Sequence, residues 1–230
     1  NLRSVNHKKL IVIAGPTAVG KTALAIAVAR ELNTSVVSAD SRQIFREMTI
    51  GTAKPSRAER EAVPHYFIDS HSVVEDYDAA AYGEEALSLI HSLLAERDEV
   101  ILCGGSGLYI RAVCEGFDEI PAVPASVRDE IVSQYEVHGL PWLQQQMNQY
   151  DPAALEVIDT NNPHRLIRAL EVSMHHGVSI LSFRKNSRRQ HPFRIIKIGI
   201  DLPREALYSR IDSRMEDMIS AGLFEEAREL

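Results

Sequence analysis

The chain has 230 residues, 45% of them hydrophobic and 25% charged, a balance that excludes disordered and fibrous classes and can bury one large core carrying a sizeable insertion. Its two cysteines, Cys103 and Cys114, form no C-x-x-C pair, which argues against structural zinc and a disulfide framework and fits a reducing cytoplasm. The formal charge of −7 argues against wholesale polyanion binding, and no apolar run near the start reaches the roughly 18 residues that span a bilayer.

In chain order, Lys9 to Ala14 (KLIVIA) is short, β-branched and apolar, and it runs through GPTAVGKT (Gly15 to Thr22) into the alanine-rich ALAIAVARELN. That is strand, glycine loop, helix. The apolar run after Lys8-Lys9 is too short for the core of a signal peptide, and a chain opening on Asn is expected to lack its true start. Ser35 to Asp40 and Val100 to Gly105 read as further buried strands, His65 to Asp69 as a weaker one, and Tyr82 to Ala95 as a helix. Strands alternating with helices imply a parallel sheet covered on both faces. From Pro121 the texture changes: Val127 to Val137, Leu140 to Met147, Pro152 to Ile158 and His164 to Met174 read as helices broken at Gly139 and Pro163. A strand from Phe193 to Leu202 follows, then a helix from Pro203 with Leu207, Ile211, Met215 and Met218 as its apolar face. The expected architecture is α/β: a P-loop NTPase-like parallel sheet flanked by helices (residues 1–115 and 193–230) with an all-helical insertion (residues 116–192). The chain still reads as helix at Leu230, so a further C-terminal part is expected.

Gly15, Pro16, Thr17, Ala18, Val19, Gly20, Lys21 and Thr22 match G-x-x-x-x-G-K-[ST] in the required context. The glycines let backbone amides curl inward as an anion nest, the helix start adds positive potential, Lys21 supplies a point charge and Thr22 a hydroxyl for magnesium. Such a cradle fits two linked phosphates. Asp40 ends the second strand, where ligands collect in a doubly wound sheet, although capping by Asp40 or Ser41 explains the position equally well. The strand VILC runs into Gly104-Gly105-Ser106-Gly107, so the acidic magnesium-holding residue of a hydrolytic motor is missing there. The glycine turn with Ser106 reads either as a second approach to a phosphate or as a tight connection. Between Thr160 and Ile200 stand eight basic residues (Arg165, Arg168, Arg184, Lys185, Arg188, Arg189, Arg194 and Lys197) against Glu171 alone; the rest has 17 basic against 31 acidic. This basic stretch is either a solvated face or a nucleic-acid contact.

Six blocks, GPTAVGKT, SADSRQIF, MTIGTAKP, PHYFIDS, GGSGLYI and NNPHRLIRALEV, occur in the order and spacing of the tRNA dimethylallyltransferases, also called tRNA isopentenyltransferases. The resemblance runs from Lys9 to Leu230. It implies transfer of a dimethylallyl group from dimethylallyl diphosphate to the exocyclic amine of the adenosine 3′ of the anticodon, in tRNAs reading codons that begin with U. Diphosphate is then the leaving group. The resemblance implies that Gly15 to Thr22 hold the diphosphate, that Mg2+ sits on Thr22 and Ser106, that Arg214 of RIDSR contacts the diphosphate, and that Asp40 is the general base. It places Ser41, Arg42 and Gln43 beside the flipped nucleotide, with Asp40 and Ser106. His164, Arg165, Leu166, Ile167, Arg168 and Arg128 are placed on the anticodon stem-loop. Ser106 stands where the family usually has Thr, and Phe45 where Tyr is common. The family continues past the end of this chain through a Gly-Tyr-Arg stretch, so tRNA binding is expected to be weakened. A cytoplasmic monomer is expected. His65 recurs in the family without a role.

The main rival is a small-molecule kinase of the nucleoside or shikimate type, in which Arg184, Arg188 and Arg189 would close over ATP. Others are a prenyltransferase acting on free AMP or ATP and a non-enzymatic P-loop binding protein. Trp142 is expected to pack a helix, Cys103 to be inert, and His175-His176 to end a helix.

Overall fold

The computed structural model describes residues 7–184 and 189–230. Five strands, β1 (Lys9–Ala14), β2 (Val36–Ser38), β3 (His65–Tyr66), β4 (Glu99–Gly104) and β5 (Arg194–Gly199), form one sheet in the order β3-β2-β4-β1-β5. Every pairing is parallel, with Ile11 opposite Ile101 and Ile196, and Val37 opposite Leu102 and Tyr66. The interior stretches of β1, β2 and β4 are apolar because both faces are covered there. Leu10, Val12, Val37, Val100 and Leu102 point to one face, against Tyr82, Ala86 and Ile90 of α3 (Ala79–Glu96) and Tyr109 and Val113 of α4 (Gly107–Cys114). Their neighbours Ile11, Ile13, Val36, Ile101 and Cys103 point to the other, against Ala25 and Ala29 of α1 (Lys21–Glu31). Small residues on α1 let that helix lie close to the sheet. At the edge, β5 leaves Arg194 and Lys197 exposed, charges that discourage pairing with another strand.

Two elements escaped the periodicity argument. The charged run RAEREA forms α2 (Arg57–Ala62), started by a capping box in which the Ser56 hydroxyl accepts the Glu59 N–H and Glu59 accepts the Ser56 N–H; this S-x-x-E signal was present without an apolar stripe. The other is α4, too short for a helical period to show. After β5 come α9 (Arg204–Ser220) and α10 (Leu223–Glu229). The expected apolar face of α9 is corrected: Met215 is 47% exposed, and Arg214 takes the place on the stripe with Leu207, Ile211 and Met218. At 100° per residue, 207, 211, 214 and 218 fall within one narrow arc and 215 does not.

The chain divides into two compact units, one running to Phe117 and resuming at Arg189, the other from Asp118 to Arg188. The second unit contains α5 (Ala125–His138), α6 (Leu140–Tyr150), α7 (Pro152–Leu155), α8 (Pro163–His176) and a 3-10 turn at Ile180–Phe183. Ile131, Leu143, Met147, Leu166 and Leu170 form its core, with Trp142 packed against it. Two buried carboxylates organise it. Asp151 accepts from the Ala154 and Ile180 N–H groups and from the hydroxyls of Ser173 and Ser179, at 2.9–3.1 Å. Glu171 accepts from Arg128 of α5 at 3.1 Å and from Arg168 of its own helix. The partners supply the compensation without which a buried charge is costly.

Where β2 and β4 end, Gly104 lies so close to the segment after β2 that a Cβ there would stand 2.0 Å from the Ala39 carbonyl oxygen and 2.3 Å from its carbon. Backbone cannot yield as a flexible side chain can. Gly104→Ala is therefore expected to cost about 1–3 kcal/mol or more, read as a lowered midpoint in thermal unfolding.

Candidate active site at the carboxyl ends of the strands

The carboxyl ends of β1, β4 and β2 lie side by side and carry Gly15, Gly105 and Asp40, so the sheet order assembles what the sequence separates. Gly15 is forced to be small, since a Cβ would meet the Ile200 carbonyl oxygen at 2.4 Å. Ala18 (φ 60°) and Gly20 (φ 103°) take left-handed conformations that curl the loop, and the side chain of Val19 is buried beneath it. Strain at Ala18, of order 1–3 kcal/mol, is the cost of turning the amides inward. Lys21 and Thr22 open α1, whose first N–H groups have no partner within the helix.

A cavity of about 230 Å³ lies at this edge, and Thr17, Gly20, Lys21, Thr22, Asp40 and Gln43 line it together with Arg214. Lys21 Nζ donates to the Pro16 carbonyl at 2.7 Å, and Arg214 Nη1 donates to Thr17 Oγ1 at 3.1 Å. Burial pulls the Lys21 ammonium below the ordinary lysine value and Arg214 adds to this, whereas Cys103 and Asp40 act to raise it. The Cys103 thiol is itself pushed up to about 11 by burial and is neutral at physiological pH. Asp40 is thus the negative charge that Lys21 feels there.

Asp40 Oδ1 accepts the N–H groups of Arg42 (2.9 Å) and Gln43 (3.3 Å), an Asx turn that fixes the carboxylate. The residues after Asp40 form a turn instead of the helix that the capping alternative required, and Asp40 holds that turn with one oxygen. Oδ2 has no hydrogen-bond partner among the described residues. Ser106 Oγ accepts the Ser41 N–H at 2.8 Å and donates to Ser41 Oγ at 3.1 Å, while the Ser106 N–H donates to the Ala39 carbonyl. Ser106 thus braces the Asp40 loop instead of lining the cavity, and Ser41 is its partner. Arg42 is exposed. Gln43 is committed at both ends of its amide: Nε2 donates to the Thr52 and Ala53 carbonyls, each at 3.2 Å, and Oε1 accepts from Ser38 at 3.3 Å.

His65 lines the same cavity. Its Nδ1 is 2.8 Å from the Val63 carbonyl and so carries the proton; Nε2 is buried without a partner among the described residues, and burial lowers the ring's proton affinity. A neutral imidazole with an open acceptor is the result. No pattern of residue types revealed this, because the orientation is set by the turn at Val63.

In the helical unit, Leu166 and Ile167 are buried and fill the core face of α8. His164 and Arg165 are exposed, and Arg128 and Arg168 remain about half exposed while gripping Glu171. The basic stretch is shared between the two units. Arg189 pairs with Glu84 and Lys197 with Glu115, whereas Lys185 and Arg188 lie outside the described residues.

The described residues contain no group of three or more His, Cys, Asp or Glu side chains able to cage a metal. What the cavity offers a metal is the Thr22 hydroxyl, since one Asp40 oxygen holds its own loop and the other is the free acceptor. That suits Mg2+, which takes few protein oxygens and completes its shell with water and substrate phosphate.

The family model for IPP transferase matches residues 43–230. The chain is 45% identical to a tRNA dimethylallyltransferase of Cytophaga hutchinsonii over 97% of its own length and 73% of the relative's, and 42% identical to tRNA dimethylallyltransferase 1 of Bacteroides thetaiotaomicron over 95% and 71%. Among solved structures, it is similar to a full-length tRNA isopentenylpyrophosphate transferase of Bacillus halodurans (TM-score 0.65, 35% identity, 97% of this chain and 70% of that one). It shares a fold with a eukaryotic dimethylallyltransferase acting on tRNA (TM-score 0.77, 24% identity, 96% and 55%). With the family model spanning the helical unit and the relatives covering 95% or more of its length, the chain belongs to the IPP transferase family.

Proposed function

We propose that this chain transfers a dimethylallyl group from dimethylallyl diphosphate to the exocyclic amine of the adenosine 3′ of the anticodon, in tRNAs reading codons that begin with U. The observation that carries this reading is the single cavity in which a phosphate cradle (Lys21, Thr22, Arg214) faces a lone carboxylate, Asp40. The amine nitrogen bonds to the allylic carbon as its bond to oxygen breaks, diphosphate departs with the electron pair, and the amine proton passes to Asp40 Oδ2. The Asx turn leaves that oxygen unpaired. Loop N–H groups from Thr17 to Thr22, with Lys21 and Arg214, meet the charge growing on the departing oxygens, a preorganised electrostatic contribution that is usually the largest in such a site. Mg2+, held by Thr22, would add Lewis-acid stabilisation of the same oxygens. Ser106 would act through Ser41 on the Asp40 loop. The target base must be flipped from its stack to reach an enclosed carboxylate.

Supporting contacts to the anticodon loop are assigned to His164, Arg165, Arg168 and Arg128 of the helical unit, where two of the three arginines, Arg128 and Arg168, share one carboxylate, Glu171. Such contacts make affinity fall with salt. A cytoplasmic location belongs to the same reading, with two buried free cysteines in its support; no helix among the described residues is long and apolar enough to cross a membrane. The kinase alternative is disfavoured by family membership, and β4 ends in Gly104-Gly105 without an acidic residue.

The deciding experiment incubates the chain with labelled dimethylallyl diphosphate, Mg2+ and unmodified tRNA in the absence of ATP. Label entering the RNA is expected, and an A-to-G change at the target base should prevent it. ATP consumption with no label in RNA overturns the reading.

A further inference from the structure

Of the two helices that follow β5, α9 reaches the cavity and α10 reaches a loop beside it. Arg214 of α9 reaches the P-loop at Thr17. Glu226 of α10 reaches the loop after the Asp40 turn: Oε2 accepts the N–H groups of Thr49 (2.8 Å) and Ile50 (2.7 Å), and Oε1 accepts that of Gly51 (2.9 Å). Three consecutive backbone donors on one carboxylate make an anion nest filled by the chain's own side chain. Burial acts to raise the proton affinity of Glu226, but the three N–H groups, helped by Lys54, hold it below the ordinary glutamate value. Gly51 packs on the same helix, where a Cβ would stand 3.1 Å from Leu223 Cδ1.

The fixed loop leads back to the site in two steps. Thr52 Oγ1 bonds the Met48 and Thr49 carbonyls and closes the turn, Ala53 stands at φ 44°, and the Thr52 and Ala53 carbonyls receive the Gln43 amide. Gln43 in turn gives its backbone N–H to Asp40 Oδ1. Lys54, whose side chain is buried, is tied to the Phe45 carbonyl and Asp69, so the loop is held at its far end as well.

We propose that Glu226 is a positioning residue: by clamping the Thr49–Gly51 nest it sets Gln43 and the Asp40 turn, and so governs the acceptor side of the cavity while leaving the diphosphate side untouched. The assignment rests on the transferase reading above for its kinetic consequence, but not for its structural one. The test compares Glu226→Gln and Glu226→Asp with the unmodified chain. In Glu226→Gln the amide NH2 must confront a backbone N–H, so amide hydrogen exchange in a peptide spanning Thr49 to Lys54 is expected to accelerate at least about tenfold. Exchange in the β1 and β4 strands should stay unchanged, as should the Kd for magnesium pyrophosphate. In the transfer assay the KM for the RNA acceptor should rise about tenfold with the prenyl-donor KM within twofold, and Glu226→Asp, which keeps the charge, should recover part of it.

Unaltered exchange in the loop, or exchange faster over the whole sheet with pyrophosphate affinity falling in parallel, overturns the proposal. A rise in donor KM equal to that in acceptor KM overturns it too. Should the unmodified chain transfer nothing, the transferase reading fails and the exchange and pyrophosphate measurements alone decide the clamp.

Discussion

Asp40→Asn is expected to lower kcat by about 10²–10⁴-fold, the usual worth of a positioned general base, while magnesium-free pyrophosphate binds at least as tightly as before. The amide substitution isolates the charge. Asn Oδ1 can still accept the Arg42 and Gln43 N–H groups, so the turn and the loop persist, but the unpaired oxygen is replaced by an NH2 that cannot take a proton. Removing a negative charge from a cavity shared with Lys21 and Arg214 makes the site more attractive to an anion. Activity and anion affinity should therefore move in opposite directions, an outcome that misfolding cannot imitate. Single-turnover transfer with prebound donor, set beside calorimetric pyrophosphate titration, makes the comparison. Near-normal single-turnover rates would remove Asp40 from the base role.

Lys21→Met tests the opposite wall. Its ammonium faces the cavity while bonded to the Pro16 carbonyl, and arriving diphosphate oxygens would take over that donor. Losing one preorganised donor to a developing oxyanion costs about 10²–10³-fold in kcat, with pyrophosphate affinity reduced in the same direction. Because burial and Arg214 hold Lys21 below its ordinary value of 10.5, the protonated form needed for catalysis is lost as pH rises, and sooner than for an exposed lysine. The alkaline limb of the kcat/KM profile, which reports the free enzyme, should accordingly fall below the ordinary lysine range and disappear in Lys21→Met. Lys21→Arg should not rescue: a planar guanidinium is bulkier than an ammonium, and Nζ already lies 3.8 Å from where a Cβ on Gly105 would stand.

These two residues could be picked out before any coordinates because each depends on chemistry encoded over a few neighbours. Lys21 belongs to an eight-residue loop between an apolar strand and a helix, and Asp40 ends a strand two apolar segments later. The order of six blocks further named the family. The short continuous apolar runs of β1 and β4 and the 3.6-residue stripe of α3 were equally local, and those elements lie where the pattern put them. Local pattern failed where partners are distant or exposure is set by neighbours. Met215 and Arg214 exchanged places on α9 because the face of a helix is chosen by what it packs on. Leu166 and Ile167 belong to the same block as exposed His164 and Arg165, yet they fill a core.

What residue order determined by itself was the set of chemical parts: a phosphate cradle, a carboxylate at a strand end, an α/β core and a helical insertion, all governed by short-range backbone and periodicity rules. Only the fold in three dimensions decided how those parts are used. It gave Ser106 to Ser41, spent the Gln43 amide on the Thr52 and Ala53 carbonyls, left one Asp40 oxygen free, and brought Glu226 to amides 175 to 177 residues away. Hydrogen bonds and desolvation act over a few ångströms of space, and the sheet order, not the spacing along the chain, sets which groups come within that reach.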